Sequence, residues 1–324
     1  MNGELSHGLA RLETLGNRIV TAWNAQPVLL RGLNRSGLEY TDPDEEGFLS
    51  NAGLSHHEIR ALCTEWKCNI VRVPFNQDFA LRGRGGHGAE VYLRDLDRVI
   101  SWASRYGCYT LLDLQWLDAD NPFGPNRQFV PPLPNPRTPE LWRMLARRYR
   151  EEPAVLFDIL NEPHDREPLD PYPMWKPDGT KYPFTHYRVS AAEWHPWARV
   201  LIDTIRAEHP QALIFVSGTN WAYDLGAFPL DRPNLVYSTH VYQNKGTRWE
   251  EHFGSLARTH PVFAGEWGGT EAQLEWGRRL SAYFDELGIG WAAWSWTDWP
   301  HMMTRYTPTP FGAIVRKALG SGAG

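Results

Sequence analysis

The sequence predicts an α/β chain closed into a (β/α)8 TIM barrel, a single domain over residues 1–324 with extended βα loops. Eight short apolar runs recur along the chain, segments of helical period separate most of them, and polar side chains collect where the runs end. Short runs rich in Val, Ile and Leu read as strands buried on both faces. Their unbroken alternation with helices argues for a parallel sheet. One barrel can use 324 residues, because about 250 is typical of the fold and insertions lengthen it.

Residues 1–27 precede the first run, and NRIVTAWNAQP within them reads as a hairpin closing the barrel floor. The first four strands are VLLRGLN at 28–34, NIVRVPF at 69–75, YTLLDLQ at 109–115 and AVLFDIL at 154–160. ALIFVSG at 212–218, NLVYSTH at 234–240, PVFAGEW at 261–267 and GIGWAAW at 288–294 complete the eight. Helices are expected over 55–66, 91–106, 138–150, 191–209, 247–259, 270–287 and 311–319. The first of these carries Ser55 and Glu58 in capping-box spacing. The link after the fifth strand is short and helix-poor. Insertions rich in Pro, Gly and aromatics fill 117–137 and 163–190, where a barrel enzyme builds its cleft. No GxGxxG follows the first strand, which removes the commonest dinucleotide signature of a doubly wound sheet.

Composition narrows the partners. Sixteen Trp, 13 Tyr and 13 Phe are more rings than a core of this size needs, so some should line an open surface, where flat sugar C–H faces can stack on them. A net charge of −5 with no basic stripe disfavours nucleic acid. No apolar run reaches the roughly 18 residues of a membrane span, and the first residues lack a leader pattern. The expectation is a monomer, either cytoplasmic or secreted with its leader removed. Cys63, Cys68 and Cys108 are an odd set that reads as buried reduced thiols. The His56–His57 pair does not supply a metal site, so neither metal nor cofactor is expected.

Active groups of a barrel sit at the C-terminal ends of its strands. Those ends hold Asn34 with Glu39 beyond, Arg72, Asp113 and Gln115, Asn161-Glu162-Pro163-His164, His240 and Tyr242, Glu266, and Trp294 with Asp298. Carboxylates ending strands four and seven face one another across the mouth, as cleavage of an acetal linkage requires. One must hold a proton and the other be ionised. Arg72 is expected to lower the pKa of Glu266, and a neighbouring carboxylate to raise that of Glu162.

With Arg72 in NIVRVPF, Asn161-Glu162-Pro163 in FDILNEP, His240 and Tyr242 in STHVY, Glu266 in FAGEWG and Trp294 in AAWSWTD, the sequence resembles glycoside hydrolase family 5 over nearly its whole length. The resemblance implies a retaining, cellulase-like hydrolase of β-glycosidic bonds in a glucan-type chain. Glu162 would be the acid/base and Glu266 the nucleophile. It also implies that Asn161 bonds the sugar 2-hydroxyl, that Arg72 and Tyr242 hold the nucleophile ionised, that His240 pairs with Glu162 or the sugar, and that Trp294 floors the subsite of the distorted ring. Gln115 departs from the histidine usual at the end of strand three. Trp221 and Trp116 are candidate stacking platforms, as are Trp175, Trp267, Trp296 and Trp299, and Asp113, Asp158 and Asp298 are rival carboxylates. Mannan, xylan or a small β-glycoside attacked from its end remain alternative substrates, and a non-catalytic carbohydrate-binding barrel an alternative function.

Overall fold

The computed structural model describes residues 8–118, 131–168, 170 and 173–320. Eight parallel strands close into a barrel: β1 (Arg31–Asn34), β2 (Ile70–Asn76), β3 (Tyr109–Trp116), β4 (Val155–Asp158), β5 (Ile214–Ser217), β6 (Leu235–Val241), β7 (Val262–Trp267) and β8 (Gly290–Ala293). Each pairs with the next, and β8 returns to β1. Burial is complete along most of them, which is why they read as continuous apolar runs rather than as alternating ones.

Register sets the polar layer at one end of the barrel. Asn34 pairs with Arg72, Asp113 with Asp158 and His240 with Glu266. A shift in register between Thr239 and His240 precedes the last pair, and such a bulge re-aims the side chains that follow it. At the other end, Leu30, Ile70, Leu111, Phe215 and Phe263 fill the interior. Leu12 and Ile19 join that cluster from an antiparallel hairpin of Leu12–Leu15 with Arg18–Thr21. The hairpin thus starts five residues before NRIVTAWNAQP, whose alternation is clear only in its second strand.

Outside the strands, helices Ala89–Arg105, Thr138–Arg148, Ala191–Glu208, Leu274–Leu287 and Pro310–Gly320 cover the barrel close to where the sequence places them. The segment from 55 is a capped helix, His56–Arg60, that widens into a π turn over Ala61–Glu65. The expected helix over 247–259 is likewise a π turn, Glu250–Gly254, followed by one short turn. A helix over Gln77–Arg82, capped by Asn76, follows β2 without an expectation from the sequence. Much of the 117–137 insertion lies outside the described residues.

Many tryptophans are structural. Trp142, Trp194, Trp197, Trp267, Trp291 and Trp296 are fully buried. Helix-borne Trp142 and Trp194 donate their indole N–H to the main-chain oxygens of Ile159 and Ser217 at 3.1 and 2.8 Å. On the helix Thr138–Arg148, Arg147 pairs with Glu208, and Arg148 with Glu90 and Asp97. Cys63, Cys68 and Cys108 are buried and free. No helix among the described residues is long and apolar enough to cross a membrane.

Candidate active site

The site begins with Arg72, buried in the middle of the polar layer. Its Nε donates to Asp158 Oδ2 at 3.0 Å, Nη1 to Asn34 Oδ1 at 2.9 Å and to Glu266 Oε1 at 3.1 Å, and Nη2 to Asn161 Oδ1 at 2.9 Å. Asp113 Oδ1 lies 2.9 Å from Nη2 as an ion pair. A planar fork with five N–H donors is the side chain that can serve this many acceptors at once. Burial alone would pull the guanidinium pKa down, but Asp113, Asp158 and Glu266 together raise it, and the group stays charged. Asn34 is fixed in turn by donating to the main-chain oxygens of Gly265 and Ala292. Asp113 and Asp158 are therefore parts of this buried ionic frame. Burial pushes Asp113 well above the usual carboxylate range and Asp158 up to about 6, against the pull of Arg72.

Glu266, at the end of β7, receives the Arg72 bond on Oε1 and the Tyr242 hydroxyl on Oε2 at 2.8 Å. Glu162 stands across the mouth with its side chain 15% exposed, and its Oε1 lies 2.8 Å from His240 Nδ1. Glu162, His240 and Glu266 bring one side-chain atom each within 4.8 Å of the others. That trio could be offered to a metal ion, but the guanidinium beside Glu266 already supplies the positive charge an ion would bring.

Electrostatics separate the two acids by a different route from the one the charges suggest. Burial lifts Glu162 to about 7, while Arg72 and Lys245 pull the other way; no neighbouring carboxylate is among the causes. Burial also lifts Glu266 above its ordinary value, and His240, Arg72 and Tyr242 restrain the rise against the push of Glu162. The expectation that Arg72 would bring Glu266 below the usual range is corrected: burial outweighs it. What remains is an asymmetry of donors. Glu266 accepts from a cation and a phenol, whereas among the described residues the side chain bonded to Glu162 is His240, which burial holds neutral with a pKa of about 3.

Among the buried polar atoms of the layer that lack a hydrogen-bond partner are Asn161 Nδ2, whose amide oxygen is taken by Arg72, Oε1 of Gln115, itself 8% exposed, and His240 Nε2. Buried polar groups are costly when unpaired, which makes these atoms candidates to meet hydroxyls of a bound molecule. At Glu162 opens a cavity of about 900 Å³, lined also by Tyr242, Trp221, Trp294 and Trp299 among others. Trp221 stacks on His164 at 3.7 Å, and Trp294 donates its indole N–H to the main-chain oxygen of Trp299 at 3.2 Å. Trp116 is elsewhere. It lies 6.0 Å from Tyr40, whose hydroxyl donates to Asp298 Oδ1 at 2.9 Å. Strand order places that group on the β8–β1–β3 arc, and Trp221 on the opposite arc after β5. Trp267 and Trp296, two of the candidate platforms, are core residues.

Sequence reasoning passed over Lys245, Thr270 and Gln273, which line the cavity, and Asn34 as a partner of Arg72. Lys245 follows Tyr242 by three residues in the loop after β6, so proximity to a strand end was the available signal.

A family model described as cellulase, glycosyl hydrolase family 5, matches residues 24–299. A cellulase of a Thermoanaerobacterium species is 22% identical, the match covering 94% of this chain and 75% of that protein. Endoglucanase A of Evansella cellulosilytica is also 22% identical, over 92% of this chain and 57% of its own length. The chain thus spans little more than half of some relatives it matches. Among solved structures, a β-glucanase from Saccharophagus degradans superposes with a TM-score of 0.75 at 23% identity, over 97% of this chain and 94% of that one. The catalytic domain of a Thermobifida fusca endoglucanase gives 0.68 at 18% identity, over 96% and 97%. These structural likenesses show the barrel fold. With the family match spanning the barrel from before β1 to past β8, the chain belongs to the cellulase family of glycoside hydrolases, glycosyl hydrolase family 5.

Proposed function

We propose that the chain cleaves internal β-glycosidic bonds of a β-glucan with retention of anomeric configuration, Glu162 serving as acid/base and Glu266 as nucleophile. The observation that carries this reading is the approach of the two carboxylates. Their oxygens come within 4.8 Å, nearer the roughly 5–5.5 Å spacing of retaining pairs than the 6.5–9.5 Å that seats a water between the base carboxylate and the sugar.

In the first step Glu162 passes its proton to the leaving oxygen as Glu266 attacks the anomeric carbon and the glycosidic bond breaks. In the second, water attacks that carbon, Glu162 takes the water's proton, and the bond to Glu266 breaks. Arg72 and Tyr242 steady the Glu266 carboxylate before and after. Asn161 Nδ2 is the donor left for the sugar 2-hydroxyl, and Gln115 Oε1 an acceptor for another. Aromatic groups on both arcs, Tyr40 with Trp116 on one and Trp221 on the other, favour a chain lying across the mouth over a closed pocket for one terminal sugar. A β-glucan is favoured by the relatives' names and by a neighbour crystallised with cellotetraose. An NMR time course on soluble β-glucan should show the β-anomer of the new end first; the α-anomer first would refute the mechanism.

A further inference from the structure

The cavity wall after β5 and β6 presents a single cation among the described residues lining it, Lys245. Its Nζ donates to the main-chain oxygen of Asn220 at 3.1 Å and to Asn220 Oδ1 at 3.2 Å. Asn220, Trp221 and Ala222 have φ of 56°, 60° and 56°, a left-handed run that side chains other than glycine avoid. The bend persists because it is tied at several points: bridges from Gly218 to Ala222 and from Thr219 to Asp224, the Trp221 amide on the Pro163 oxygen at 3.0 Å, and Lys245. The bend delivers Trp221 to the cavity. Its ring lies on His164, whose Nδ1 is 2.6 Å from the main-chain oxygen of Glu162.

We propose that Lys245 is a positioning residue for the second half of the reaction: its ammonium, held by Asn220 on the cavity wall that Glu162 also lines, favours the carboxylate form of Glu162 that must take the proton of the attacking water. This rests on Glu162 being the acid/base. The groups facing Glu162 are Lys245, Arg72, His240, Tyr242 and Glu266. Arg72 is engaged by three carboxylates and His240 is neutral, which leaves Lys245 as the cation not already shared. A positive charge beside a carboxyl favours its ionised form. Lys245 therefore supports the base of the second step and lowers the upper pH limit of the acid in the first.

The test compares Lys245→Met and Lys245→Arg with the unaltered chain. On soluble β-glucan, Lys245→Met should move the alkaline limb of kcat/KM to higher pH by roughly half a pH unit. At pH 6, on an aryl β-cellobioside whose phenolate leaves without a proton, kcat and KM should fall together, roughly threefold, because only release of the glycosyl-enzyme is slowed. Lys245→Arg should restore both. An unmoved limb, or a kcat/KM that falls along with kcat on the aryl substrate, overturns the proposal. Wild-type turnover in Glu162→Gln would instead overturn the assignment beneath it, so the two failures are distinguishable.

Discussion

Replacing Glu162 with Gln removes a proton whose availability can be worked out from its surroundings. Burial raises this carboxyl from an ordinary 4.5 to about 7. A raised carboxyl keeps its proton below its pKa and loses it above, so the acid for the first step is present below pH 7 and disappears as pH rises through it. At pH 6 a group of pKa 7 is protonated about nine times in ten, against about three times in a hundred at 4.5, so burial makes the acid about thirtyfold more available. The kcat/KM profile on β-glucan should therefore fall on the alkaline side near pH 7. In Glu162→Gln the rate on glucan should drop by about 10²–10⁴, or about 2.7–5.5 kcal/mol of barrier, and the alkaline limb should vanish. An aryl β-cellobioside with a good leaving group should lose far less in its first step, which separates a missing proton from a damaged site. Persistence of the limb near pH 7 in the variant would refute the reasoning. It would assign the limb to another buried acid, Asp158 at about 6 or Glu39 at about 8.

Arg72→Met should destabilise the fold as well as abolish turnover. It leaves the buried carboxyls of Asp113 and Asp158 without their cation, a loss of about 3–5 kcal/mol, and an unchanged urea midpoint would show the frame to be dispensable. Gln115→His should keep activity within roughly tenfold, about 1.4 kcal/mol, since an imidazole can also accept a bond from the sugar. Complete loss measured on β-glucan would show that the amide is shaped for one substrate.

Strand identity was legible because burial on both faces leaves a strand such as IVRVPF, 70–75, with one polar residue, and that residue marks the site. Arg72, Asn161, Glu162, His240, Tyr242 and Glu266 were found this way, and the structure brings all six together. Gln77–Arg82 escaped notice because its helix is one and a half turns long and is started by a side-chain cap from Asn76, too short for periodicity to register. Trp116 was placed by its position after β3, but a ring's direction depends on the loop around it, and this one turns toward Tyr40.

Counting charges in the sequence treats each pair as if in water, yet every carboxyl in the layer is lifted by burial first, and a cation only restrains the rise. Charge alone cannot then tell Glu162 from Glu266, because Arg72 acts on both. The difference lies in direct donors. Glu266 accepts from Arg72, 194 residues away in sequence, and from Tyr242, while Glu162 meets an imidazole that its own burial has discharged. A hydrogen bond from a cation selects the ionised form far more strongly than one from a neutral ring. The donors thus favour the proton on Glu162, because β2 and the end of β6 aim Arg72 and Tyr242 at the acid that β7 carries, a convergence in space that spacing along the chain does not encode.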